Sequence, residues 1–302
     1  MNMNIVKKLP LPASGLILAL FSLGNLVQDI HPYLRYLFGG IGGIFLILIL
    51  LKVIFYPKSI RQDFENPIIL SSCGTFSMAL MILSTYLKAF MPILSYGVWI
   101  IGVVLHILLM IYFTYRFVIR EFDINTVYPT WWIVYVGITM AAITANVHGI
   151  HEADFTFFII GFISMLVTTP VIFYRYIRYP NKTDMNKPLI CIFTALFSIL
   201  IVGYLNSAEN ISNEFLMILY TFACIFYIFS LYKFIDYRNI DFYPSFAAFT
   251  FPFVISALAT KGVVKNFAPN ILLDNILTVE TVIAVLLVAY VVMRYAKFLK
   301  NS

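Results

Sequence analysis

The stretch Phe45-Leu46-Ile47-Leu48-Ile49-Leu50-Leu51 decides the fold class, because it joins seven large apolar side chains without one polar group. It lies within an apolar run over residues 33–56, which is long enough to cross a bilayer core, since a crossing takes about 20 residues of helix. The run ends on Tyr56-Pro57-Lys58, and aromatic and basic side chains are typical of the membrane–water interface. The stretch therefore predicts a membrane-spanning helix.

The whole chain shares this composition. Of its 302 residues, 62% are hydrophobic and 11% are charged, and the mean hydropathy is +0.92. A soluble domain has about 25% charged residues, so the composition excludes soluble enzymes, nucleic-acid-binding proteins and disordered proteins. The 29 phenylalanines and 20 tyrosines suit a protein that is surrounded by lipid and two aqueous interfaces. We therefore predict an all-α integral membrane protein with membrane lipid, and no nucleic acid, as a partner.

Apolar stretches of this kind recur along residues 1–302, which we interpret as a single transmembrane domain. Each stretch is long and nearly free of charge, so no periodicity is needed to identify it. The predicted spans are residues 10–28, 33–56, 67–87, 92–115, 128–147, 153–174, 187–206, 213–232, 243–260 and 272–293. The sequence thus predicts ten transmembrane helices.

The connections between the spans differ in charge. The N-terminus, the connections after even-numbered spans and the C-terminus contain 16 of the 20 basic residues and 7 acidic residues, for a net charge of +9. The opposite side has 7 acidic residues and 4 basic residues, for a net charge of −3; the basic ones are Arg35, Lys88, Lys261 and Lys265. Because basic residues mark the cytoplasmic face, we expect both termini in the cytoplasm.

The chain also repeats with a period of about 60 residues. A basic residue follows each even span at positions 58, 116, 175, 233 and 294, in steps of 58, 59, 58 and 61 residues. Each odd span opens on a proline, which is tolerated in the first turn of a helix; these are Pro12, Pro67, Pro129, Pro188 and Pro244. We predict five helical hairpins, at approximately 1–58, 59–116, 117–175, 176–233 and 234–302.

The odd and even spans differ in side-chain size. Even spans consist mainly of Leu, Ile, Val and Phe, whereas odd spans carry small residues at helical spacing; in the ninth span these are Ser245, Ala248, Pro252, Ser256 and Ala259. We predict an inner ring of odd helices around a central pore and an outer ring of even helices facing lipid. The candidate pore-lining residues are Ser14, Gly15, Ala19, Ser22, Ser71, Gly74, Gly137, Ala141, Ala195, Ser198, Ala248 and Pro252.

Close helix packing is the alternative explanation for these small residues, because any polytopic protein needs small side chains where helices approach. Packing is also how we interpret the cluster Gly39-Gly40-Ile41-Gly42-Gly43 in the second span.

The sequence contains no catalytic motif. It lacks HExxH, GxSxG, a P-loop and a dinucleotide-binding fingerprint, so we predict a protein that is not an enzyme and has no cofactor. His148 and His151 lie near Glu152 and Asp154, but a hydrated polar loop is the expected role and no metal site is predicted. The three cysteines have no CxxC pair and are expected to be core residues; they are Cys73, Cys191 and Cys224.

The interiors of the odd spans contain no Asp, Glu, Lys, Arg or His. Coupled carriers usually keep ionisable groups or broken helices near the middle of the membrane, so uncharged interiors favour passive conduction. Each odd helix begins at the predicted cytoplasmic face, where its N-terminus carries roughly half a positive charge. Together with nearby basic residues these ends predict a positive cytoplasmic mouth that attracts anions, formed by Lys58, Arg116, Arg175 and Lys233.

Two stretches resemble a known family. Pro10-Leu11-Pro12-Ala13-Ser14-Gly15-Leu16 and the following Leu20-Phe21-Ser22-Leu23-Gly24-Asn25 resemble the first helix of the tellurite-resistance/dicarboxylate transporter family, and Ala248-Phe249-Thr250-Phe251-Pro252 resembles its ninth helix. With ten spans in five hairpins, the resemblance covers essentially the whole chain. It is strongest to bacterial TehA-type members, and plant guard-cell slow anion channels are more distant.

The resemblance implies a homotrimer in the bacterial cytoplasmic (inner) membrane, in which each protomer has its own pore for small inorganic or organic anions. It also implies that Phe251, on the ninth helix, closes that pore. The expected function is a passive anion channel or uniporter. One alternative is a proton-linked carrier for C4-dicarboxylate or for tellurite- or sulfite-like oxyanions, with His106 or Glu280 as the titrating group. Another is a membrane scaffold that transports nothing. We expect Glu280 itself to lie at the membrane interface, because it is only about two helical turns from the start of the predicted last span.

The predicted mouth can be tested by neutralising Lys58, Arg116, Arg175 and Lys233 together. We expect anion conductance in liposomes to fall most at low ionic strength, where charges are least screened. The orientation of the variant is checked first, because these residues also direct insertion. Unchanged low-salt conductance in correctly inserted protein would show that they serve insertion only.

Overall fold

A computed structural model describes residues 3–150, 154–180 and 183–301, and every regular element in these ranges is a helix. The α-helices are α1 (Met3–Lys8), α2 (Ala13–Val27), α3 (Pro32–Phe55), α4 (Pro57–Asp63), α5 (Pro67–Ser72), α6 (Gly74–Leu87), α7 (Pro92–Phe113), α8 (Thr130–Tyr135), α9 (Thr139–Ala145), α10 (Asp154–Arg178), α11 (Phe193–Ser207), α12 (Asn213–Tyr237), α13 (Phe251–Asn266) and α14 (Ile271–Asn301). 3-10 helices cover Ile124–Thr126, Asn146–His148, Asp184–Ile192 and Pro244–Phe249, and a π-helix covers Thr114–Arg120. The predicted all-α class is confirmed.

Eight helical stretches in the described ranges are long and apolar enough to cross a membrane: Pro32–Phe55, Pro67–Leu87, Pro92–Arg120, Asp154–Arg178, Asp184–Ser207, Asn213–Tyr237, Pro244–Asn266 and Ile271–Lys300. Helix α2 is a shorter apolar helix of 15 residues. The predicted fifth span, residues 128–147, forms the two short helices α8 and α9 instead of one long helix. The structure therefore confirms a multi-pass helical membrane protein, but not ten continuous spans.

Three of the five predicted odd spans are interrupted, and a fourth changes from a 3-10 helix to an α-helix at Phe193, whereas the even ones are continuous helices. We call α2, α5 with α6, α8 with α9, Asp184–Ser207 and Pro244–Asn266 the odd segments, and α3, α7, α10, α12 and α14 the even helices. Cys73 separates α5 from α6, and residues 136–138 separate α8 from α9. In the ninth predicted span, Thr250 (φ −113°, ψ −84°) separates a 3-10 helix from α13.

Proline and glycine account for two of these interruptions. Pro252 has no N–H to donate to residue 248, and its ring obstructs the preceding turn, so the helix cannot pass through Thr250 regularly. At Gly137 a Cβ atom would collide with the Ile133 carbonyl and would lie 2.9 Å from His106 Cε1. Only glycine therefore fits at position 137, between α8 and α9.

Burial divides the segments into two classes. Between 67% and 83% of the residues are buried in the three long odd spans, against 28% to 33% in the even helices. Odd segments contact one another in cyclic order, because α2 contacts α6, α6 contacts α9, α9 contacts α11, α11 contacts α13, and α13 contacts α2. Each even helix packs on the odd segment that precedes it in the chain.

Hydroxyl groups join neighbouring odd segments. Ser14 Oγ and Thr75 Oγ1 are 2.7 Å apart, which links α2 to α6. Ser71 donates to Thr130 Oγ1 over 2.7 Å, which links α5 to α8. Such bonds between helices strengthen association within a membrane, where burial of apolar surface contributes little.

All odd segments begin at the same end of the bundle, where their opening prolines lie. We call this the proline end, and the opposite end the far end. Helix α1, near the N-terminus, contacts α14, the last helix.

Two of the four glycines in the second-span cluster, Gly39 and Gly42, form close contacts with neighbouring helices. A Cβ at Gly42 would lie 3.0 Å from the Phe21 ring, and one at Gly39 would lie 2.7 Å from the Tyr86 ring. At Gly40 and Gly43 nothing lies within 4 Å. The predicted packing role is confirmed for Gly39 and Gly42, which face α6 and α2, respectively.

We expect Gly39→Ala to destabilise the protein by about 1–3 kcal/mol, the usual cost of overpacking. Tyr86 cannot move aside freely, because its hydroxyl donates to the Phe21 carbonyl over 2.6 Å and Arg35 lies 4.5 Å over its ring. Gly40→Ala, one position away and open to lipid, is the matched control and should leave the melting temperature in detergent unchanged or slightly raised. Equal melting temperatures for the two variants would contradict the contact.

Candidate functional site

A cavity of about 160 Å³ opens at the proline end, and every residue that lines it belongs to an odd segment or to the residues just before one. Its polar side chains include Asn66, Ser72, Thr75, Asn186 and Ser245. Within the described part of the chain no Asp, Glu, Lys, Arg or His lines this cavity. The proline-end cavity is thus uncharged and largely apolar.

A larger cavity of about 540 Å³ opens at the far end. Residues closest to the middle of the bundle are mostly apolar and include Ile82, Met140, Val202 and Ile255, whereas amides and bases lie toward the opening. Among the described residues, three bases line this far-end cavity, and they are Arg35, Lys261 and Lys265.

Each of the five odd segments lines first the proline-end cavity and then, further along the chain, the far-end cavity. In the ninth predicted span the proline-end cavity is lined up to Pro252, and the far-end cavity is lined from Ile255 onward. The corresponding pairs in the other segments are Gly15 and Ser22, Met78 and Ile82, Gly137 and Met140, and Ile199 and Val202. The same five segments therefore line two cavities, separated by a layer that spans three to seven residues of each segment.

Phe251 lies at this layer. It lines the proline-end cavity, is 6% exposed, and is the first residue of α13, directly after the interruption at Thr250. By contrast, Phe249 and Phe253 are fully buried against other aromatic rings. The backbone break thus places one phenylalanine at the cavity and its two neighbours in the core.

The predicted pore-lining residues divide into two groups. Five of them line the proline-end cavity and one lines the far-end cavity; these are Gly15, Gly137, Ala195, Ala248 and Pro252, and Ser22. The others line neither cavity within the described residues; these are Ser14, Ala19, Ser71, Gly74, Ala141 and Ser198. Several of the second group make contacts between helices, such as the Ser14–Thr75 and Ser71–Thr130 hydrogen bonds.

The small-residue face of the ninth span does not continue as the pattern predicts. Beyond Pro252 the cavity is lined by Ile255, Leu258 and Lys261, whereas Ser256 faces α14. The helix is interrupted at Thr250, and α13 continues from there in a different orientation, so that Ser256 packs against the even helix α14. Helical spacing alone could not indicate this change.

The environment of Glu280 differs from the expected one. Its position near the start of the last span suggests an interfacial side chain, but it is 4% exposed. Ser256 donates to its Oε1 over 3.2 Å and Thr260 donates to its Oε2 over 2.6 Å. The carboxyl group therefore joins α13 to α14, and it lines neither cavity.

His106 also lies away from both cavities. Its Nδ1 is 2.7 Å from Ser77 Oγ, and its Nε2 is 3.1 Å from the Val134 carbonyl oxygen. The ring thus bonds α7 to α6 and α8 as a fully buried hydrogen-bonded histidine.

The four predicted mouth residues do not line the proline-end cavity. Lys58 is exposed, Arg116 pairs with Glu121 over 3.4 Å, and Lys233 pairs with Asp236 over 3.5 Å. Arg175 is 3% exposed, and its guanidinium lies 4.0 Å over the Tyr128 ring. Arg175 is therefore a packing residue at this end as well as a charge.

The conceivable metal-binding residues are only partly described, because His151 and Glu152 lie outside the described residues. His148 Nε2 is 2.9 Å from Ser84 Oγ, and burial lowers the pKa of its imidazole. No group of three or more His, Cys, Asp or Glu in the described ranges could hold a metal ion. Cys191 is buried, Cys73 and Cys224 are half-buried, and all three are free thiols.

Enclosed, interrupted segments that surround two cavities inside a layer of lipid-exposed helices define a membrane channel or transporter. The chain belongs to the SLAC1 family, described as voltage-dependent anion channel, whose model matches residues 12–296. It is also similar to an uncharacterized transporter of Methanocaldococcus jannaschii, with 24% identity over 250 residues that cover 74% of this chain and 72% of the relative. The resemblance inferred from the first and ninth spans is confirmed, and the family is one of channels and transporters, not of enzymes.

Proposed function

We propose that the protein is a passive anion channel or uniporter and that Phe251 closes its pathway. The observation that carries this proposal is that all five odd segments pass from one cavity to the other, with Phe251 next to the transition in the ninth span. An apolar constriction stops ions by excluding water, even where it is not sterically complete. The aromatic ring is therefore sufficient as a gate, and a rotamer change opens the pathway without moving a helix.

In this proposal the ten predicted spans cross the membrane as five hairpins, with the odd segments inside and the even helices in lipid. The cyclic contacts of the odd segments and the difference in burial support this arrangement. Because α1 contacts α14, the termini share one side, which the charge distribution assigns to the cytoplasm. The homotrimer and the bacterial inner membrane rest on the family resemblance.

The selectivity for anions rests on two features. Odd segments begin at the proline end, where helix N-termini are positive, and a neutral cavity follows that does not trap an ion. A cation channel would more naturally use carboxylate rings, and neither cavity has a carboxylate among the described lining residues.

The proton-linked carrier is supported by one observation, because interrupted helices are typical of coupled transporters. Against it, Glu280 and His106, the two candidate proton carriers, line neither cavity. A carrier also needs a titrating group that the transported ion can reach. The geometry therefore favours passive flux.

Phe251→Ala should raise anion flux in liposomes at least ten-fold over the wild type, because it removes the ring from the constriction. The flux should reverse at the Nernst potential of the anion and should not respond to a pH gradient. Phe253→Ala is the matched control. It removes a fully buried ring two residues away and should cost about 3–5 kcal/mol of stability without raising flux.

Two results would contradict this proposal. If folded Phe251→Ala protein conducts no more anion than wild type, the gate lies elsewhere. If flux requires a proton gradient and is lost in Glu280→Gln, the protein is a carrier.

A further inference from the structure

The far side of the protein is acidic overall, but the wall of its cavity is basic. Three of the four basic residues on that side of the chain line the far-end cavity, namely Arg35, Lys261 and Lys265. None of the described acidic residues on that side lines the far-end cavity; these residues are Asp29, Asp154, Glu209, Glu214, Asp274 and Glu280. The segregation of charge is therefore local to the cavity.

Part of this positive charge has a structural role. Lys261 donates to the Leu26 carbonyl over 2.9 Å, and Arg35 donates to the Thr85 carbonyl over 3.0 Å. Both carbonyls lie in the last turns of odd helices, where a cation is stabilising. Lys265 has no such bond in the described structure; it is 70% exposed, and its nearest charged partner is Asp29 at 4.0 Å. Helix capping thus explains two of the three bases but not Lys265.

A buried hydroxyl lies deeper in the same cavity. Ser22 lines the cavity and is 1% exposed, yet its Oγ has no hydrogen-bond partner among the described residues. A buried hydroxyl without a partner is costly, and Ser22 borders a space of about 540 Å³. A space of this size accommodates several waters or a hydrated anion.

We propose that the far-end cavity is a recruitment site that concentrates small anions before they reach the constriction, and that Arg35, Lys261 and Lys265 supply its attraction. This inference rests on the proposed anion pathway but makes a separate claim about its far entrance. One unit charge about 8 Å from an ion in water changes its local concentration roughly two-fold, and that of a divalent anion roughly four-fold. The site therefore enriches divalent anions over monovalent ones.

Asp29 competes with the anion for two of these bases. Its carboxylate is 2.8 Å from Lys261 Nζ and 4.0 Å from Lys265 Nζ. The hydrogen bond and charge of Lys261 hold the pKa of Asp29 below its ordinary value, so the carboxylate stays ionised at neutral pH. Asp29 lies outside the cavity lining and acts as a tethered counter-ion that weakens recruitment.

Thiol chemistry tests this potential without requiring conduction. Asn206→Cys places a probe in the cavity wall, and its rates of reaction with an anionic and a cationic methanethiosulfonate reagent are compared at low salt, after subtraction of the reaction of wild-type protein. We expect the anionic reagent to react faster. Adding Lys265→Gln should lower the ratio of the two rates roughly four-fold, and adding Asp29→Asn should raise it.

Lys88→Gln is the matched control, because it removes a base from the same side that does not line the cavity. An equal ratio in the Lys265→Gln and Lys88→Gln proteins would overturn the recruitment site, whatever the flux through Phe251→Ala protein. Sulfate should also slow the anionic reagent more than chloride does at equal ionic strength. If the reaction rates establish the site but Phe251→Ala protein passes no anion, the proposed channel fails and the anion site remains.

Discussion

The structure depends on one constraint, which is that every backbone N–H and C=O group in a bilayer must find a partner inside the protein. Lipid-facing segments satisfy it only as continuous helices, and the even helices are continuous over 22 to 31 residues. The odd segments are enclosed by protein, so their interruptions at Cys73, residues 136–138 and Thr250 expose no backbone to lipid. Irregular backbone is also tolerated where it lines a water-filled cavity, because water can satisfy the freed groups. The even helices therefore permit the irregular backbone that the candidate pathway needs.

Small side chains serve two purposes in the enclosed segments. At Gly15, Gly137 and Ala248 they leave room for the proline-end cavity. At Ser14 and Ser71 they allow close contacts and supply hydroxyl bonds between neighbouring segments. Packing and pore lining are therefore not exclusive explanations of the small-residue pattern, because alternate faces of one segment serve each purpose.

The sequence predicted the helical class, the membrane and the contrast between odd and even spans, since all three follow from hydropathy, side-chain size and proline spacing. It could not predict the two short helices around Gly137, because that interruption depends on contacts with Ile133 and His106. Nor could it predict the face of α13 beyond Pro252, which the backbone at Thr250 determines. The basic wall of the far-end cavity was also missed, although one signal was present. Lys261 and Lys265, spaced by one helical turn, are two of the four bases on the acidic side.

The environment of Glu280 could not be predicted from the sequence either. Its distance from the end of the last span suggested contact with the interface, whereas the carboxyl group bonds Ser256 and Thr260 on α13. Position along a helix gives depth but not direction, and the direction decides whether a carboxyl group meets an ion pathway or a neighbouring helix. Its placement behind α13 is the main reason to prefer passive flux over proton coupling.

The central claim is that Phe251 separates two cavities of one pathway, and sided thiol labelling tests it most directly. Ser245→Cys lines the proline-end cavity and Ile255→Cys lines the far-end cavity. An impermeant reagent labels Ser245→Cys from one side of the membrane, and that side is the one at the proline end. From that side, we predict no labelling of Ile255→Cys while Phe251 is present, and labelling once Phe251→Ala is added. Labelling of Ile255→Cys from that side with Phe251 intact, or none in folded Phe251→Ala protein, would contradict the account.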